Sequence, residues 1–124
     1  MSRVVTALLL IAGVIHLLPL PGLLGPAQLA RLYGVTIDDP NLALLLRHRA
    51  VLFGLLGALL VAAAFRTELR TLAIAAGLIS AVSFAMLAWQ GGALNSQIAR
   101  VVVADLIAIA CLLAAAAMQW LRIR

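Results

Sequence analysis

Residues 39–65 read DPNLALLLRHRAVLFGLLGALLVAAAF. An apolar run of about 20 residues is long enough to cross a bilayer as a helix. Asp39 suits the cap of such a helix and Pro40 its first residue. Yet Arg47, His48 and Arg49 stand inside its first half. Ionisable groups at that depth are costly, so they require partners or a purpose. The run decides the fold class, and its three polar residues decide where to look for a site.

The rest of the chain agrees. Its 124 residues are 66% hydrophobic and 10% charged, with a mean hydropathy of +1.21. Soluble domains are about 45–50% apolar and about 25% charged. One integral membrane domain over residues 1–124 is expected. The net charge is +5, and every basic residue is arginine. These arginines are dispersed among apolar segments, which argues against nucleic acid and for membrane lipids as partners. Cys111 is the only cysteine, so no internal disulfide and no Cys-x-x-Cys site exists.

Four spans follow, at about 4–24, 40–65, 68–90 and 96–121. The N-terminal apolar run is longer than a signal-peptide core of about 7–15 residues, and it is expected to be a retained first helix. Pro19 and Pro21 kink or end it. Ala12, Gly13 and His16 share one face, a close-packing stripe that points His16 into the bundle. Pro26 and Gly34 bracket a short helix lying at the interface, with Leu29, Leu32 and Tyr33 towards lipid and Gln28 and Arg31 towards water. A lid over the bundle mouth is the alternative for that segment. Thr67 is the expected cap of the third span and Asn95 that of the fourth. Trp120, Arg122 and Arg124 are expected to anchor the far end.

The fold class is therefore an all-α, integral membrane, up-down four-helix bundle with a short interfacial helix between its first two spans. Arg3, Arg66, Arg70, Arg122 and Arg124 flank one side, while Arg31 on the other is countered by Asp38 and Asp39. The positive-inside rule then puts both termini in the cytoplasm. In a bacterium this is the inner membrane, with the 25–39 loop in the periplasm. Stripes of Ala and Gly suggest a homo-oligomer or a larger membrane complex.

That topology lets depth be compared across helices. At 1.5 Å per residue, His16, Arg49 and Asp105 lie roughly 12–14 Å below the outer surface, with Arg47, His48 and Arg100 a little higher. These six form the candidate ligand-binding layer. Residues 47 and 49 are about 200° apart on a helix and cannot both face inward. Arg47 shares its face with Ala50, Val51, Gly54 and Ala58, so Arg47 is the expected inward residue. Arg49 shares its face with the bulkier Phe53, Leu56 and Leu60 and is expected to face out. Asp105 is expected to pair across helices with an arginine or a histidine. Arg offers a fork for carboxylate, phosphate or carbonyl oxygens, and His can carry a proton near neutral pH. The arginines oppose a metal ion. Ser80 and Ser83 read as packing residues, and no Gly-rich phosphate loop is present. No catalytic residue and no cofactor is assigned.

With four spans, a polar first loop and a second span beginning DPNLALLLRHRAVLFG, the chain resembles the DoxX-like proteins, small four-helix bacterial membrane proteins, and their uncharacterised relatives. An arginine ahead of a Gly-containing apolar run recurs in that group, here Arg47 or Arg49 before Gly54. The resemblance implies an accessory membrane subunit linked to oxidoreductases or quinones. Chains that look like GVIHLLPLPG…LYGV…RHRAVLFG also carry the name phosphopantetheine adenylyltransferase. The residues argue against that activity, which resides in a soluble nucleotide-binding fold with a His-x-Gly-His site. Here His16 precedes Leu-Leu-Pro and His48 precedes Arg-Ala-Val. The expected function is an outer-half pocket for an amphiphile such as a lipid or quinone. The alternative is a non-catalytic accessory or structural subunit whose polar layer only fixes helix register.

Overall fold

The computed structural model describes residues 2–123, with side chains over 3–121; the anchoring role expected of Arg122 and Arg124 lies outside the described residues. The described chain is helical, without strands. Its helices are α1 (Ser2–Leu17), α2 (Pro26–Tyr33), α3 (Pro40–Phe65), α4 (Arg70–Gln90) and α5 (Ser96–Ile123), with 3-10 turns at Leu20–Leu24 and Thr67–Leu69. Four stretches, Arg3–Leu24, Pro40–Phe65, Thr67–Gln90 and Ser96–Leu121, are long and apolar enough to cross a membrane. Only 22–28% of each apolar window is buried. Most of the apolar surface therefore faces outward, an arrangement that calls for an apolar surrounding.

Local chemistry explains the boundaries. α1 stops before Pro19, and the Pro19 carbonyl then accepts from Gly22 N–H at 2.9 Å to start the 3-10 turn. Gly34 ends α2 at φ 65°, a left-handed backbone that favours glycine. The Asp39 carboxylate accepts from Asn41 N–H at 2.9 Å and caps α3 as expected. Thr67 does not cap the third span. It lies in the 3-10 turn, where Arg66 and Glu68 pair at 2.7 Å, and no side-chain cap is found on α4. Asn95 does cap α5, accepting from Ile98 N–H at 2.8 Å.

α1 packs on α3 and α5, and α4 packs on both of those as well, closing a ring of four long helices. The α1–α3 crossing is close because two glycines meet. A Cβ on Gly57 would stand 3.0 Å from the Gly13 carbonyl. The pairing runs Thr6 to Ala64, Gly13 to Gly57 and Leu20 to Gly54, so the two segments are antiparallel. One core cluster holds Val5, Leu9, Leu60, Ile74 and Leu112. A second, at the other end, holds Leu29, Tyr33, Ile37 and Ala43.

That second cluster corrects the expectation for α2. Leu29 is fully buried and Tyr33 nearly so, packed with Leu46, Ile98 and Val101. The apolar face of α2 is turned onto the bundle, not to lipid. The Asn95 amide fastens it there, donating to the Tyr33 carbonyl at 2.8 Å and the Gly34 carbonyl at 3.3 Å. The segment lies over the bundle mouth, as the lid alternative has it.

Candidate functional site

Beneath α2 lies a cavity of about 360 Å³. Ile15, Leu18 and Pro19 line it from the end of α1, and Arg31, Leu32 and Tyr33 from α2. Arg49 and Phe53 contribute from α3, and Gln97, Arg100, Val101, Ala104 and Asp105 from α5. Leu18, Arg31 and Arg100 are exposed; the other lining residues are half-buried or buried.

Arg49 is the most constrained group in the wall. Its Nη1 donates to the Tyr33 hydroxyl at 2.7 Å. Its guanidinium carbon lies 4.4 Å from the centre of the Phe53 ring and 5.5 Å from both the Tyr33 and Phe84 rings. A cation over an aromatic face gains about 0.5–2 kcal/mol. Side chains from α2, α3 and α4 thus hold one cation. A guanidinium has five N–H donors, so one bond to Tyr33 leaves capacity to spare. Among the described residues the ion pair found within 4.0 Å is Arg66–Glu68, and Arg49 is in none.

Asp105 is 5% exposed and faces the same cavity. No described residue donates a hydrogen bond to it or comes within 4.0 Å as an ion-pair partner. The sealed, unpartnered polar atoms among the described side chains are His16 Nε2 and Arg70 Nη1. The Asp105 oxygens are not in that class, so they open onto the cavity.

His16 is 1% exposed and points inward as expected. Its Nδ1 lies 2.9 Å from the Ala12 carbonyl, which can only accept, so Nδ1 carries the proton. The ring stacks on Phe53 at 5.8 Å and 25°. His16 therefore stands behind the wall that Phe53 forms and does not line the cavity itself.

The assignment of Arg47 inward and Arg49 outward is reversed. Arg47 is exposed and its Nε donates to the Leu23 carbonyl at 2.9 Å. It borders a separate groove with Asp38 and Asp39. His48 is exposed and belongs to neither arrangement. The reason lies in the small residues beside Arg47. Gly54 lies where Leu20 packs, and Ala50 lies beside Gly22. That stripe serves the connection after α1, while Arg49, Phe53 and the fully buried Leu60 look into the ring. Of the six candidates, the structure brings Arg49, Arg100 and Asp105 to one cavity, sets His16 behind it, and leaves Arg47 and His48 outside. The expected cross-helix pair of Asp105 is not formed.

Tyr33, Phe84 and Gln97 are site residues that sequence reasoning missed. Phe53, four residues after Arg49, carried a usable signal, because positions i and i+4 meet on a helix. Tyr33 and Phe84 come from other elements and gave none.

Arg70 was expected only as a flanking charge. It is 2% exposed and lies at the far end of the bundle from α2. Its Nε donates to the Ala63 carbonyl at 3.0 Å, and its Nη2 to the Ala64 carbonyl at 2.9 Å and the Thr6 hydroxyl at 3.2 Å. It caps the C-terminus of α3, where a cation also meets the negative end of the helix dipole. This is a structural clamp.

Comparison with protein-family models, with curated proteins and with solved structures finds no match for the chain.

Proposed function

We propose that the chain is an up-down, four-span membrane bundle whose cavity binds the head group of an amphiphile, a lipid or a quinone. The observation that carries this reading is Arg49. It is a guanidinium locked by three rings and a hydroxyl, with no carboxylate in ion-pair range, on the wall of a largely apolar cavity. A cation held in one geometry pays little ordering entropy when it meets a ligand oxygen. Its fork fits carboxylate, phosphate or carbonyl oxygens. The exposed Leu18 beside the charged Arg31 and Arg100 gives the rim both an apolar and a polar edge, as an amphiphile needs.

The positive-inside rule supports cytoplasmic termini and a cavity in the outer half of a bacterial inner membrane. The resemblance to DoxX-like proteins keeps quinones among the candidate amphiphiles. The competing reading is an accessory subunit whose polar layer fixes helix register. It draws on an Arg–Asp pair that Asp105 does not make. Native mass spectrometry of the detergent-purified protein tests the proposal. One retained amphiphile per chain, lost in Arg49→Ala, is the expected result. Consistent absence of any retained amphiphile from folded wild-type protein overturns it.

A further inference from the structure

The cavity presents two kinds of hydrogen-bonding group, and an occupant has to answer both. Arg49 offers N–H donors, while Asp105 offers carboxylate oxygens that no described residue donates to. A nearly buried carboxylate without a protein donor must take its hydrogen bonds from whatever fills the cavity. An occupant that brings an O–H or N–H donor is therefore favoured over one that brings only acceptor oxygens.

Charge narrows the choice further. Arg31, Arg49 and Arg100 outnumber Asp105 around the cavity. An excess of cations in a largely apolar wall favours an anion over a neutral carbonyl compound, and a donor carried on a hydroxyl over one carried on a second cation. Size bears on it too. About 360 Å³ is at the low end for a small-molecule pocket, enough for a head group with its chains left outside. Arg49 and Asp105 are beyond ion-pair range of each other but line one small cavity. That separation suits two groups a few bonds apart on one molecule.

Resting on the amphiphile reading above, we infer that the cavity selects a hydroxyl-bearing phosphodiester head group, its phosphate on Arg49 and its hydroxyl donating to Asp105. This is the chemistry of a glycerol-phosphate lipid. Neutral quinones and phosphodiesters without a head-group donor lack one half of it.

The test uses the full chain in detergent micelles, with ligand occupancy read by native mass spectrometry. Phosphatidylglycerol is titrated against phosphatidylmethanol, which has the same charge and phosphodiester but no head-group hydroxyl. Glycerophosphoglycerol serves as the chain-free source of the same head group. Phosphatidylglycerol is expected to bind at least about ten-fold more tightly than phosphatidylmethanol, the worth of one charge-assisted hydrogen bond. Asp105→Ala is expected to bring the two lipids together while occupancy persists, which also shows that the variant folds. Stronger binding of phosphatidylglycerol than of glycerophosphoglycerol identifies a lipid as the source; equal binding overturns the lipid assignment. Equal affinity for the two lipids in wild-type protein overturns the inference and leaves the amphiphile pocket standing. Failure of every amphiphile to bind overturns both.

Discussion

Replacing Gly57 by alanine tests the packing that positions α1 against α3. Two effects oppose each other. Alanine favours a helix over glycine by about 1 kcal/mol. Against that, the added Cβ would stand 2.7 Å from Leu17 Cγ, 2.8 Å from Leu17 Cδ2 and 3.0 Å from the Gly13 carbonyl oxygen. The carbonyl belongs to a helix backbone, and Cγ is not the free end of its side chain, so neither moves without moving α1. Overpacking of that kind costs about 1–3 kcal/mol. The clash matches or outweighs the propensity, and Gly57→Ala is expected to lose up to about 2 kcal/mol. Gly54→Ala is the internal control. Its Cβ would meet Leu20 Cδ1 at 2.8 Å, with the next atoms at 3.8 Å. A terminal methyl can rotate away, so this variant should be neutral or gain up to about 1 kcal/mol. Equilibrium unfolding by SDS titration in mixed micelles measures both. If Gly57→Ala is as stable as Gly54→Ala, the close α1–α3 crossing is wrong.

Tyr33→Phe removes the hydroxyl that accepts from Arg49, and about 1–2 kcal/mol of stability should go with it. In a Cys111→Ala background, the same change should speed thiol labelling of a cysteine placed at the buried Leu29, and an unchanged labelling rate contradicts the seat assigned to α2. Arg70→Ala uncaps the Ala63 and Ala64 carbonyls, with an expected loss of about 2–4 kcal/mol in SDS unfolding. Arg70→Lys should recover only part of that, because an ammonium lacks the rigid fork that reaches two carbonyls and the Thr6 hydroxyl. Asn95→Ala deletes both the α5 cap and the tie to α2, so its loss should exceed the roughly 1 kcal/mol of an ordinary cap; a smaller loss would make the tie to α2 incidental.

The spans were legible because length and hydropathy over some 20 residues leave few alternatives. So were the caps at Asp39 and Asn95 and the glycine stop at Gly34, since each acts within a few residues of chain. The inward face of α3 was not. A stripe of small residues marks where another segment comes close, and Ala50 and Gly54 do meet the turn after α1. It does not mark where the cavity is. The bulkier stripe with Arg49 and Phe53 is the one that lines it. α2 was misread because an amphipathic segment of eight residues looks the same whether its apolar face meets lipid or protein. The clamp at Arg70 was hidden for a similar reason. An arginine at a helix end reads as a topology signal, and only the approach of α1 shows that it is buried.

The central claim is that the head group of an amphiphile sits beside Arg49. Photolabelling with a lipid that carries a diazirine next to its head group addresses it most directly, with the modified residues mapped by mass spectrometry. Label is expected to concentrate on Phe53, Gln97, Val101 and Ala104, which line the cavity, and to be lost in Arg49→Ala. Label spread evenly over outward residues such as Ile79, Leu87 and Leu113, unchanged by Arg49→Ala, would contradict it.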